Sequence, residues 1–143
     1  MFDPTDDGYD ISALQPNTVH VIGDIHLTSQ QDFLDIDSMC TDHFVLRINS
    51  TIGIENAGQY RFSTTSGDGS KLFIDDHKVV DNWGIHAIRT HEGYVNLSRG
   101  YHQVSILYFA NDYGQHLEAQ MQGPGESTPA TFIGGWHMLG NGF

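Results

Sequence analysis

The sequence predicts an all-β protein, an antiparallel β-sandwich or barrel, on three observations. Apolar residues alternate with polar ones over short runs: Phe44, Leu46 and Ile48; Tyr60 and Phe62; Val95 and Leu97; Val104, Ile106 and Tyr108; Leu117, Ala119 and Met121. Side chains two apart share one face of a strand, so each run offers one apolar face to a core. Turn chemistry separates the runs, at Asn56-Ala-Gly58, Ser98-Arg-Gly100 and Asn111-Asp-Tyr-Gly114. Sixteen glycines in 143 residues, with no sustained helical period, argue against a helical domain. A chain of this length makes about one domain with one core.

Taken in order, residues 1–17 read as an acidic extension, with four aspartates between Met1 and Asp10. Asp3 to Asp10 lacks the alternating ligands and closing Glu of a calcium loop. Residues 18–130 read as the sandwich domain. Val19 to Leu27 suggests a first strand pair around Gly23-Asp24, and Gln31 to Cys40 a short helix or an irregular loop. Strands are expected near 43–49, 58–65, 70–75, 93–98, 102–110 and 115–122. Leu107 and Phe109 oppose Val104 and Ile106, which predicts a central strand covered on both sides. Residues 131–143 form a tail of glycines with Phe132, Ile133, Trp136, Met138, Leu139 and Phe143. Such a tail needs a surface, either this sandwich or a partner, and the second case would make it a route to oligomers.

Ser66 to Gly84, SGDGSKLFIDDHKVVDNWG, is the most informative stretch. It reads as two short apolar strands, joined and flanked by Asp- and Gly-rich turns and ending in an Asp-Asn-Trp-Gly corner. Gly67 to Gly69 suit a tight turn, and Leu72 and Ile74 share a face. Carboxylate-rich turns beside an aromatic corner are how loops on a β-scaffold build a calcium or sugar site, although Asp and Gly also simply make turns.

This stretch resembles the PA-fourteen domain, the β-sandwich family of anthrax protective antigen, yeast flocculins and some bacterial glycosidases. The resemblance runs from Asp42 to Gly125 in family order. Asp42 to Phe62 resembles its opening strand, a long connection and "G-x-Y-x-F". Gly93 to Phe109 resembles "L-x-x-G-x-H-x-x-x-x-x-Y-F", and Leu117 to Gly125 the closing strand with its Pro-Gly exit. Trp83 to Arg89 is similar to a bacterial branch with "G-L-H-G-M-R" at this place. The family implies an antiparallel sandwich of the PA-fourteen type. In its sugar-binding fungal members, two aspartates joined by a cis peptide hold a calcium ion that grips sugar hydroxyls. Asp68 matches the second aspartate, but Gly67 stands where the first would be. With one carboxylate gone the calcium loop is degenerate, and Asp68 and Asp112 are the metal ligands left to propose. Asp75-Asp76 matches the family's "Asp-Gly" hairpin turn rather than its metal loop.

Composition bounds function. Eighteen acidic against six basic residues give −12, which excludes nucleic acid and disfavours anionic membranes. No apolar run approaches the ~20 residues that span a bilayer. No basic-plus-apolar leader is visible, so any export signal has been removed or lies elsewhere. Cys40 is alone, which rules out an internal disulfide, and it reads as a small buried hydrophobe. Nine histidines are many, but His86, His91, His102 and His116 lack a compact metal spacing. They read as hydrogen-bonding residues that hold loop corners. No nucleophile elbow or acid/base carboxylate pair is present, so the chain is expected not to be an enzyme.

The ligand-binding candidates are therefore Asp68, Asp81, Asn82, Trp83, Asn111, Asp112 and Tyr113, with Tyr94 and Tyr101 as further aromatics. Trp83 reads either as a stacking platform or as a cap on the sandwich end. The expected function is a non-catalytic extracellular carbohydrate- or matrix-binding module of adhesion type, on the cell surface or in the periplasm. The alternative is a structural or interaction subunit of a larger assembly that joins protein partners.

Overall fold

The computed structural model describes residues 18–21, 26–29, 31–33, 44–110, 115–125, 130–131 and 139–142. Among the described residues eleven strands run in chain order: β1 Thr18–Val21, β2 His26–Leu27, β3 Phe44–Ile54, β4 Gly58–Gly67, β5 Ser70–Ile74, β6 His77–Asn82, β7 Arg89–Leu97, β8 Gly100–Ala110, β9 His116–Gln122, β10 Ala130–Thr131 and β11 Leu139–Gly142. They form a six-stranded sheet, β1-β11-β3-β8-β5-β6, and a second sheet, β10-β9-β4-β7, whose β9 also pairs β2. All pairings are antiparallel. The sandwich predicted from alternation is the one observed. Among the described residues, no helix is long and apolar enough to cross a membrane.

The core lies between the sheets and takes the inward-facing set of each run. Leu46 and Ile48, Tyr60 and Phe62, Leu72 and Ile74, Val104, Ile106 and Tyr108, and Leu117 and Ala119 are all buried. Each fully buried aliphatic or aromatic side chain contributes about 1.5–3 kcal/mol. Helical residues 31–33 bring Phe33 to this core, where it stacks on Tyr108 at 5.3 Å and meets Phe44 at 5.4 Å. Its start is a reciprocal cap: Asp32 N donates to Ser29 Oγ, and Ser29 N to Asp32 Oδ2. The rest of Gln31 to Cys40, including Cys40, lies outside the described residues.

Two strand bounds differ from expectation by several residues. β3 runs to Ile54 rather than ending near 49, because Ile52 and Ile54 continue its buried face past the polar Ser50. What resembled a long connection is a short turn at 55–57. β7 begins at Arg89 rather than 93, since an edge strand with four exposed leading residues shows no apolar alternation there. β6 is the return strand of the hairpin closed by Asp75 and Asp76, both at positive φ (48° and 67°).

β8 is central, between β3 and β5. Its outer face is covered at Phe109, which is buried under Trp83, while Leu107 is half-buried. Along one side the sheets come edge to edge at β6 and β7. A Cβ on Gly93 would lie 1.8 Å from the Val79 carbonyl oxygen, so only glycine fits this seam. Of the tail, residues 139–142 form β11, which hydrogen-bonds between β1 and β3; Phe132, Ile133, Trp136, Met138 and Phe143 lie outside the described residues.

Candidate functional site

Two loops meet at the end of the sandwich where β8 finishes. One is the turn 67–69 between β4 and β5, and the other is 83–88 between β6 and β7. The first turn is fixed from below: Tyr108 Oη donates to Gly67 O at 2.6 Å, and Phe109 N donates to Gly69 O at 3.0 Å. The Gly67–Asp68 peptide bond is cis. Gly69 touches the second loop directly, because an added Cβ would lie 2.8 Å from Gly84 N and 2.4 Å from Phe109 Cε1.

Asp68 is fully buried, and its Oδ1 accepts the His86 N–H at 3.0 Å. The carboxylate thus pins loop 83–88 to turn 67–69. The His86 ring sits between the carbonyls of Asn82 (2.9 Å) and Ala87 (2.7 Å). His91 Nδ1 lies 2.8 Å from Asp81 O. These histidines hold corners, as their turn-rich surroundings predict.

Asn82 is the hub beneath. It is fully buried, and its Nδ2 faces Arg89 O at 3.0 Å, with Thr64 O and Ser66 Oγ at 3.3 Å. Its Oδ1 accepts from Arg89 Nε at 2.9 Å. Ser66 Oγ and Ser70 Oγ lie 2.7 Å apart, and Ser70 Oγ donates to Thr64 Oγ1 at 2.8 Å. This satisfied polar network links both sheets directly under the corner. Sequence reasoning missed Thr64, Ser66, Ser70 and Arg89. The available signal was that Thr64 and Ser66 continue the inward face of Tyr60 and Phe62. Asn82, placed among the ligand contacts from sequence, is fully buried here with its side chain on these protein partners.

Trp83 caps the corner. Its ring meets Phe109 edge-on at 4.7 Å and 63°, and Lys71 Nζ lies 4.9 Å from the ring centre. Its Nε1 is buried with no hydrogen-bond partner among the described residues, while part of the side chain stays exposed. Asp81 is on the rim, taking Lys78 Nζ at 2.9 Å and Trp83 N at 3.2 Å. Partial burial pushes its carboxyl up, but these two donors outweigh it and hold it below the usual carboxylate range. Asn111, Asp112 and Tyr113, which follow Ala110 of β8 in sequence, lie outside the described residues. Tyr94 and Tyr101 are exposed but elsewhere: Tyr94 is on β7, and Tyr101 is near the opposite end of β8.

The described donor set does not suit Ca²⁺, which takes six to eight oxygens. Asp68 offers one carboxylate with an oxygen already facing an N–H, and the Gly67 carbonyl already accepts from Tyr108. No group of three or more His, Cys, Asp or Glu that could hold a metal occurs among the described residues.

A sequence profile described as the PA14 domain matches residues 16–130. The chain belongs to the PA14 domain family. The match is wider than the motifs between 42 and 125, and it takes in β1 and β2. In structure, this PA14 domain is similar to a PA14 sugar-binding domain from an RTX adhesin, with TM-score 0.67 and 22% identity over 89% of this chain and 81% of that one. It is similar to a subtype-switched epithelial adhesin 9 A domain from Candida glabrata, solved with β-lactose, with TM-score 0.60 and 14% identity over 84% and 67%. The PA14 domain of the MpAFP antifreeze protein matches with TM-score 0.59 and 17% identity over 85% and 69%. No curated protein sequence matches the chain.

Proposed function

We propose that this PA14 domain is a non-catalytic, extracellular carbohydrate-binding module of adhesion type. Its contact surface is the rim of the 67–69 and 83–88 corner. The observation that carries the reading is the half-exposed Trp83 on a corner made rigid by the Asp68–His86 bond. A fixed aromatic ring flanked by Asp81 and Lys71 can take the apolar face of a pyranose on its open surface while the polar neighbours meet its hydroxyls. Similarity to a sugar-binding adhesin domain and to an adhesin solved with β-lactose supports the same class. Asn111, Asp112 and Tyr113 stay ligand candidates on their sequence alone. Saccharide contact is made by side chains, without a bound metal, since Gly67 removes a first carboxylate and Asp68 serves the loop.

The test is a lactose titration followed by amide NMR shifts. Shifts at residues 81–85, lost in Trp83→Leu with melting retained, support the proposal; leucine keeps an apolar cap over Phe109 but offers no ring. No shift at the rim sinks it.

One observation favours a second reading, an interaction subunit that docks on protein. Ile85 and Ile88 stand 36% and 54% exposed on the same loop. Co-purification of a stoichiometric partner, lost in Ile88→Ser, would favour that reading.

A further inference from the structure

We propose that the opposite end of the sandwich carries a second saccharide site, a cleft for a neutral pyranoside lined by Gly53, Ile54, Glu55, Arg99, Gly100 and Tyr101. It lies roughly 30 Å from the Trp83 corner, the length of β8 at about 3.3 Å per residue. Its volume of about 500 Å³ is in the range of small-molecule sites.

Three observations converge on this cleft. Tyr101 is 78% exposed, the most exposed large apolar side chain among the described residues. It pairs across strands with Gly53, and its Cε1 would lie only 3.4 Å from a Cβ there. The glycine therefore lets the ring lie along bare backbone, leaving an aromatic surface open beside a notch. Glu55 and Arg99 flank it, and neither makes an ion pair or side-chain hydrogen bond with the described residues. Arg61, Lys78 and Arg89, by contrast, are engaged with Glu92, Asp81 and Asn82.

Both walls are also held in place. Tyr60 Oη donates to Asn56 O at 2.8 Å, fixing the turn that carries Glu55. His102 Nε2 lies 2.8 Å from Ser98 O, fixing the turn that carries Arg99. A site whose walls are already ordered loses less entropy on binding. An open ring with one fork of donors and one carboxylate fits a pyranose: C–H groups on the ring, vicinal hydroxyls shared between Arg99 and Glu55. The two formal charges cancel, and the chain's net charge of −12 opposes an anionic sugar, so the class is neutral. Two sites on opposite ends would let one domain bridge two glycans. This site stands independently of the Trp83 reading.

The test is an amide NMR titration of the whole chain with lactose, cellobiose and glucuronate, in EDTA. The expected result is saturable shifts at Gly53, Ile54, Gly100 and Tyr101 with millimolar lactose or cellobiose. Arg99→Ala should weaken binding about tenfold with unchanged melting. Tyr101→Ala should do the same, and the exposed Arg99 serves as the control should loss of the Tyr101 ring unsettle β3. Trp83→Leu should leave these shifts intact. Absence of shifts with both disaccharides, indifference to Arg99→Ala, loss in Trp83→Leu, or tighter binding of glucuronate would each overturn the proposal.

Discussion

The two ends of the sandwich are built on opposite plans. At the Trp83 end, Asp68, Asn82 and His86 spend their polar atoms on the protein, and Asp81 alone of the four stays exposed on the rim. At the Tyr101 end the bonds lie underneath, at His102 and Tyr60, and the outward Glu55 and Arg99 make no side-chain bond with the described residues. The residues that look most like a binding motif in sequence are thus largely the ones that hold the fold. Surplus Asp, Asn and His at a loop cluster signal organisation, and uncommitted groups around an open ring signal readiness for a ligand.

Glycine substitutions should break this contrast most visibly. Gly69→Ala places a methyl against Phe109 and Gly84, and is expected to destabilise by about 3 kcal/mol. Gly53→Ala meets only Tyr101 Cε1 at 3.4 Å, an ordinary contact, and should change stability by less than about 0.5 kcal/mol. Chemical denaturation of the two variants checks both. Equal losses would show that the ends do not differ in rigidity.

Asn82→Ala comes next. It strips a buried hub and leaves Arg89 and Ser66 without that partner, so about 2–3 kcal/mol should be lost in the same assay. A neutral result would show that Asn82 does not hold the corner.

A smaller effect concerns pH. The Asp75 carboxylate, 2.6 Å from His102 Nδ1, raises the His102 pKa above 6.5; the Ser98 carbonyl adds to this, and partial burial opposes it. The His102 hydrogen bond, with help from Gln103 N–H, lowers Asp75 below 3.8. The His102 contribution is full below 6.5 and is lost as pH rises through its raised folded value. The Asp75 contribution is present above 3.8 and is lost as pH falls through its lowered folded value. Melting should therefore decline as pH rises from about 6 to 8, and His102→Gln should remove that part of the slope. An unaltered slope would show that the pair does not set it.

The fold was legible because alternation survives wherever one face is buried and the other wet. It failed at β3 beyond Asn49, where Ser50 takes an inward place and Gly53 an outward one, and at Arg89 to Glu92, where an edge strand buries too little to leave a pattern. The corner was legible as a cluster of loops, but the bonds that organise it were not. Asp68 meets a backbone N–H eighteen residues on, and a backbone donor carries no sequence signature. Tyr101 was noticed as an aromatic, but its pairing with Gly53 exists only once the β3–β8 register is known.

The central claim is that the Trp83 corner takes saccharide through side chains fixed by Asp68, with no calcium between. Lactose titrations in millimolar calcium and in EDTA test it most directly, read at the amides of residues 81–85. Identical affinity in both conditions is the predicted result. Binding that appears only with calcium, and disappears in Asp68→Ala, would contradict it and make Asp68 a metal ligand.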